Sequence, residues 1–383
     1  MVFDPIWQLL ALPVAFALGW LASRLDMRQL RLDNRQSPKA YLKGLNYLLN
    51  EQQDCAIDAF IEAVQNDPDT SDLHFALGNL FRRRGEYQRA VRVHEHLLAR
   101  SDLKPTDRDN AQYALALDYL KAGLIEHAET ALRKLEGSSL QEQGRQALLG
   151  LYERTRDWTH ALDVAQKVSE TGEQGSLTAR MAHFHCELAA EARRRNEAAL
   201  VLGHFDAARR LAPDAPRPYV DLAAWQRELG ELHRAFDTLQ QGWEAAPNAQ
   251  PMLASPLAEL AAQTGRIDAV REQISQRYAA APSLDLLMAM VRLGSAGGAD
   301  RQALWMQHLE REPSLVAASQ WLLSGTQEAS TYPKPVRQAL DHACAPRLRF
   351  RCAACGFETQ QHCWHCPGCQ SWDSFPMRRV EEW

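Results

Sequence analysis

The 383-residue sequence predicts an all-α protein: a stack of helical hairpins, with an apolar helix at its N-terminal end and a small metal-clamped module at its C-terminal end. Three observations lead there. Pro5 to Ser23 carry no charge, an alanine-centred pattern recurs about every 34 residues from Ala56 onward, and two C-x-x-C pairs stand close together near the C-terminal end.

Composition sets the bounds. Apolar residues make up 46% and charged residues 24%, with 20 Gly and 18 Pro, which is globular and excludes a disordered or collagen-like chain. The net charge of −5 argues against a general nucleic-acid-binding surface, which needs an excess of Lys and Arg. Eight cysteines are too few for a disulfide scaffold. Cys55 and Cys186 stand alone, and the other six fall between Cys344 and Cys369.

At the N-terminal end, PIWQLLALPVAFALGWLAS (Pro5 to Ser23) is 19 residues long. As a helix rising about 1.5 Å per residue it spans about 30 Å, the thickness of a bilayer's hydrocarbon core. Trp7 and Trp20 fall near its two ends, at headgroup level, and Pro13 kinks the helix without ending it. Arg24, Arg28, Arg31, Arg35 and Lys39 follow, opposed only by Asp26 and Asp33, so the bulk of the chain is expected on the cytoplasmic side. A cleaved signal peptide fits less well, because Asp4 replaces the basic n-region. A buried core helix would show a polar face.

In the middle, Ala56, Ala90, Ala128, Ala161, Val201, Ala235 and Ala269 recur in steps of 34, 38, 33, 40, 34 and 34. Nine residues before the first four stand Tyr47, Phe81, Tyr119 and Tyr152, and three before the first three aromatics stand Gly44, Gly78 and Ala116. Pro68, Pro213 and Pro247 fall twelve residues after three of the anchors. Small, aromatic, small, proline at those offsets is the tetratricopeptide (TPR) pattern. The small residues let two antiparallel helices cross closely, the aromatics and Phe60 fill the space beside the crossing, and the proline ends the second helix. Each hairpin leaves an apolar face that its neighbour covers. Repeats are expected near 37–70, 71–104, 109–141, 142–175, 182–215, 216–249 and 250–282, with a degenerate unit to about 315.

Such an array offers surface for a partner's helix or segment. It carries no phosphate-binding Gly loop, no G-x-S-x-G and no H-E-x-x-H, so no catalytic residue is assigned. In AHFHCELA, His183 and His185 could ligate a metal with Cys186, but the reading preferred is ordinary helix residues with Cys186 packed as a small hydrophobe. His94 takes the place that Phe60, Leu132, Phe205 or Leu239 takes elsewhere and is expected to be a partly buried packing residue. Asn79, Arg82 and Arg83 are expected on an exposed helix face, as solvated polar residues or as partner contacts.

At the C-terminal end, Cys352-x-x-Cys355 is followed by Cys366-x-x-Cys369. Four thiolates are enough to close a tetrahedral site around one zinc or iron ion. Gly356 allows the sharp turn that aims backbone N–H groups at sulfur, and Pro367 stiffens the second turn. His362, Cys363 and His365 are rival ligands, disfavoured by the paired spacing. A module of under 40 residues must draw much of its folding free energy from the metal. Phe350, Phe357, Trp364 and Trp372 are expected to pack around the site or to dock it on the helices. The stretch before it is expected as a helix, a polar linker (SGTQEASTYPKP) and a short helix through Cys344.

The expected division is therefore a transmembrane anchor at 1–23, a basic juxtamembrane linker at 24–36, a TPR-type α-solenoid of about seven to eight repeats at 37–315, a linker with short helices at 316–345, and a rubredoxin-like zinc-ribbon module at 346–383. The three parts together, with LPVAFALGW at Leu12 to Trp20, LGNLFRRRGEYQRA at Leu77 to Ala90, AHFHCELA at Ala182 to Ala189, and FRCAACGF and WHCPGCQSW around the four cysteines, resemble the lipopolysaccharide assembly protein B (LapB) family. The resemblance implies an inner-membrane adaptor, not an enzyme. It further implies regulation of lipopolysaccharide synthesis by helping the membrane protease FtsH degrade the deacetylase LpxC, with signals from the periplasmic side expected to enter through a membrane partner that contacts the anchor. A general TPR scaffold for envelope assembly, and a rubredoxin-like redox protein using iron, are the alternative readings.

Overall fold

The computed structural model describes residues 42–47, 49–50, 52–66, 70–169, 174–294, 298–324 and 334–382, together with Phe16 and Trp20. The anchor and juxtamembrane linker expected at 1–36 lie outside the described residues, except for Phe16 and Trp20, which are helical. Among the described residues no helix is long and apolar enough to cross a membrane. The chain forms two compact units, Met1–Asp157 and Trp158–Trp383.

Both units are built from helices. The first holds a helical stretch from Leu42 to Tyr47, then α1 (Gln53–Asn66), α2 (Ser71–Arg84), α3 (Tyr87–Ala99), α4 (Pro105–Ala122), α5 (Ile125–Arg133) and α6 (Gln141–Thr155). The second holds α7 (Trp158–Ser169), α8 (Gln174–Arg194), α9 (Ala198–Leu211), α10 (Arg217–Glu228), α11 (Leu232–Ala245), α12 (Gln250–Thr264), α13 (Ile267–Ala280), α14 (Leu284–Leu293), α15 (Gly298–Leu309), α16 (Leu315–Ser324) and α17 (Lys334–Cys344). A two-stranded antiparallel sheet follows, β1 (Phe350–Arg351) and β2 (Glu358–Thr359), pairing Phe350 with Thr359. The prolines act where expected: α9 stops at Leu211 before Pro213, and α11 at Ala245 before Pro247. Pro68 lies outside the described residues.

One turn is used repeatedly. Gly85, Gly123, Arg156, Asn196, Gly230 and Gly265 all have positive φ, between 58° and 85°. Each is followed by a residue whose N–H reaches back to close the preceding helix, as Glu86 does to Phe81 O at 2.8 Å, Leu124 to Tyr119 O at 2.9 Å and Asp157 to Tyr152 O at 2.9 Å. This is a Schellman closure, and it places the next buried anchor five residues beyond the left-handed one. Ala90, Ala128, Ala161, Val201 and Ala235 sit there, each at most 1% exposed. In the sixth case the anchor is Val270, 1% exposed, not Ala269, which is exposed. The expected register slips by one because the turn at Gly265, rather than a constant spacing, sets the buried position.

Close crossings are set by missing side chains. A Cβ on Gly44 would stand 2.9 Å from the Phe60 ring, and one on Gly78 2.5 Å from the His94 ring. In the sixth repeat the roles reverse, with Gly242 on the second helix facing Tyr219 on the first at 2.8 Å. The core of the first unit gathers Ile57, Phe60, Leu73, Leu77, Leu80 and Phe81 around Ala56 and Ala90. In the second unit a large core runs from Ala223 on α10 to Cys344 on α17.

His94 is more than a packing residue. It is fully buried, and its Nδ1 lies 2.5 Å from Asp118, also fully buried. Arg82 closes the group with a 2.9 Å bond to Asp118 and a 3.0 Å bond to Ala114 O, and it also bonds Asn79. Asn79 and Arg82 are thus half-buried and internally engaged, which corrects the exposed placement expected for them; Arg83 is exposed.

Candidate metal centre

Two loops of the same design carry the four cysteines. In the first, Cys352 N–H donates to Phe357 O at 2.9 Å, Gly356 N–H donates to Cys352 O at 2.9 Å, and Gly356 has φ +78°. In the second, Cys366 N–H donates to Ser371 O at 2.9 Å, Gln370 N–H donates to Cys366 O at 2.8 Å, and Gln370 has φ 59°. Each loop presents its two sulfurs on one side. Ala353 N–H donates to Ser374 O at 2.7 Å, which ties the first loop to the segment after the second.

The sulfurs converge. Sγ of Cys352 lies 3.8 Å from that of Cys369, and Sγ of Cys355 lies 3.7 Å from that of Cys366. All four lie within 4.8 Å of one another. Four sulfurs at about 2.3 Å from a central ion would be about 3.8 Å apart, so the donor set fits one tetrahedral zinc or iron ion. Cys352 and Cys366 are buried, and Cys355 and Cys369 are exposed.

Local hydrogen bonding biases the thiols. The Ser374 hydroxyl, 3.2 Å from Cys352 Sγ, is the main reason the Cys352 thiol is brought down to about 6. The Ser371 hydroxyl, 3.3 Å from Cys369 Sγ, lowers that thiol in the same way. At Cys355 a Phe357 N–H favours the thiolate, but desolvation and the three neighbouring sulfurs push the thiol up to about 12. Crowded negative sulfurs with fixed hydrogen-bond donors are the arrangement a dication neutralises.

The rival ligands point elsewhere. His362 Nε2 is 3.0 Å from Phe375 O, and its ring stands edge-on to Phe350 and Trp364. Cys363 Sγ lies 3.7 Å from Gln361 O. The His365 ring lies 4.4 Å from Trp372. Phe350, Cys352, Cys366 and Phe375 form the small core of the module, whereas Phe357 is 42% exposed.

The module is bound to the helices of its own unit by contacts that sequence spacing did not reveal. Trp372 stacks on His183 of α8 at 4.8 Å and meets Phe184 and Trp158 edge-on. His183 Nε2 lies 2.8 Å from Asp373 Oδ1. Arg379 pairs bidentately with buried Asp285 at 2.9 and 3.1 Å, donates to Leu348 O at 2.7 Å and covers the Phe350 ring. The last two described residues cap helices: Glu382 accepts from Leu284 N–H at 2.7 Å, and Glu381 accepts from Leu315 N–H at 2.5 Å and Val316 N–H at 3.0 Å. Those helices, α14 and α16, already carry Ser283 and Ser314 as N-caps, so the tail satisfies donors that each serine leaves over. The signal available in the sequence was a terminal acidic pair beside two Ser-initiated helices.

Residues 350–376 match the family model described as "Rubredoxin metal binding domain", of the LapB zinc-ribbon type, and residues 73–109 match a tetratricopeptide repeat. A solved tetratricopeptide repeat protein from Parabacteroides merdae aligns with 68% of this chain and 99% of its own at 15% identity and a TM-score of 0.35. Lipopolysaccharide assembly protein B of Haemophilus influenzae is 25% identical over 386 residues, covering 95% of this chain and 96% of that protein. The protein of the same name from Escherichia coli K12 is 28% identical over 385 residues, covering 97% of this chain and 98% of its own. The chain is thus a homologue, along nearly its whole length, of the proteins named lipopolysaccharide assembly protein B.

Proposed function

We propose that this chain is a non-enzymatic adaptor in lipopolysaccharide assembly, tethered to the inner membrane by residues 1–23, with the bulk of the chain on the cytoplasmic side. In this reading it presents the deacetylase LpxC to the membrane protease FtsH. The observation that carries the proposal is the 28% identity spread over 97% of the chain to a protein named for lipopolysaccharide assembly, rather than a match confined to one repeat. Helical hairpins supply broad exposed faces of the kind that hold a partner segment. Cys352, Cys355, Cys366 and Cys369 hold one zinc or iron ion, whose role is to keep the C-terminal module folded and seated. A tether beside a membrane protease raises the local concentration of whatever the repeats hold.

The test is affinity capture of the full chain from intact membranes after crosslinking. Recovery of both the protease and the deacetylase, with the deacetylase lost when residues 37–315 are replaced by an unrelated repeat array, supports the reading. Recovery of other envelope proteins in their place would favour a general scaffold and overturn it.

A further inference from the structure

The two histidines of HFHC have different fates. Residues two apart on a helix are separated by about 200° around its axis, so His183 and His185 cannot serve the same neighbour. His183 faces Asp373. His185 faces His204 of α9, with Nδ1 to Nδ1 at 3.1 Å and ring centroids 5.4 Å apart. Both rings are half-buried and reachable from solvent. The left-handed turn at Asn196 returns the chain so that the two rings meet.

We propose that His185 and His204 form a second metal site, separate from the four thiolates, that chelates one borderline divalent cation of the nickel, copper or zinc class through its two Nδ1 atoms. Two nitrogens 3.1 Å apart, each about 2.1 Å from an ion, subtend about 95° at that ion. That angle suits two adjacent positions of an octahedral or square-planar ion, with water in the others. Without an ion the same separation holds a single N–H···N hydrogen bond between neutral rings; binding the ion moves that proton from Nδ1 to Nε2 of its own ring, a change of tautomer with no net proton release. Desolvation, then the neighbouring His204 and Arg210, bring His185 down to about 4, and desolvation followed by Arg195 lowers His204. Both rings are therefore neutral near pH 7, the form that binds metal. The Glu191 carboxylate beside His204 offsets part of the field of Arg195. The site does not depend on the adaptor reading.

The test is equilibrium dialysis of the full chain, its thiolate site loaded with zinc, against nickel chloride, with zinc and nickel counted per chain. The expected result is about one nickel per chain with the zinc count unchanged, lost in His185→Gln and in His204→Gln and kept in His233→Gln, an exposed histidine elsewhere. Should His185→Gln fail to fold, the more peripheral His204→Gln carries the comparison. A nickel-induced rise in thermal midpoint, present in the wild type and absent in His204→Gln, is the second readout. No bound nickel, nickel retained in both variants, or equal loss in His233→Gln would overturn the proposal.

Discussion

His183 and Asp373 lie 190 positions apart in the chain, yet His183 Nε2 is 2.8 Å from each carboxylate oxygen of Asp373. His183 is 3% exposed, and on its other side Nδ1 lies 3.4 Å from the Arg217 guanidinium, itself bonded to Glu187 and Asp221. The contact joins the metal module to a buried polar group of the helices, four residues past the last cysteine ligand.

Asp373→Ala removes one partner and leaves a buried imidazole without its acceptor, which costs about 1–3 kcal/mol. Because Trp372 still stacks on His183, the module should loosen rather than detach. Hydrogen exchange over residues 350–376 should quicken by about 5- to 150-fold, while exchange in α12 stays as it was. His183→Gln, which also removes the ring stacked on Trp372, should loosen the module at least as much.

Cys366→Ser removes a buried ligand. Apparent metal-binding free energies of about 10–16 kcal/mol in small thiolate modules mean that losing the ion unfolds residues 350–376. The tail beyond then releases its carboxylates from Leu284, Leu315 and Val316, so the first turns of α14 and α16 should lose exchange protection at the same time. Each cap contributes about 1 kcal/mol. Metal counting and proteolysis after residue 345 check the first part, and exchange at α14 and α16 checks the second. Absorbance decides the ion, since an iron tetrathiolate is coloured and zinc is not.

Gly78→Ala puts a methyl where the His94 ring stands, at 2.5 Å. His94 cannot retreat without breaking its bond to buried Asp118. The expected loss is about 1–3 kcal/mol in thermal or chemical denaturation, and Gly78→Leu should lose more. Gly203→Ala, on α9 with open space around it, should be neutral or stabilising by up to about 1 kcal/mol.

Acid should weaken the second unit through His185. Its folded value, about 4, lies below the ordinary 6.5, so the folded protein binds fewer protons there than the unfolded chain. Stability associated with this group is therefore complete above 6.5 and is lost as pH falls from 6.5 towards 4. His185→Gln should flatten that part of a curve of midpoint against pH, and a curve that keeps its slope would refute the assignment.

Local chemistry was readable from the sequence, and distant pairing was not. The four cysteines stood out because both loops are closed by neighbours within six positions, so spacing alone announces them. The repeat was legible through Ala56, Ala90, Ala128 and Ala161, whose burial follows from a crossing that tolerates only small residues. Gly85, Gly123, Gly230 and Gly265 mark their turns, but Arg156 and Asn196 adopt the same backbone without a glycine, and Ala269 passed for the anchor that Val270 is. Arg82 looked solvated because its acceptor, Asp118, belongs to the next repeat. Asp285 with Arg379, and Ser314 with Glu381, are long-range pairs; nothing local distinguishes them from ordinary surface charge until the fold brings them together.

The adaptor reading is tested most directly by the lifetime of the LpxC deacetylase after synthesis is stopped, in cells holding the full chain, no chain, or the chain lacking residues 1–23. The account predicts rapid loss of the deacetylase only with the full chain, and persistence in the other two. Equal lifetimes in all three, or rapid loss with the untethered form, would contradict it.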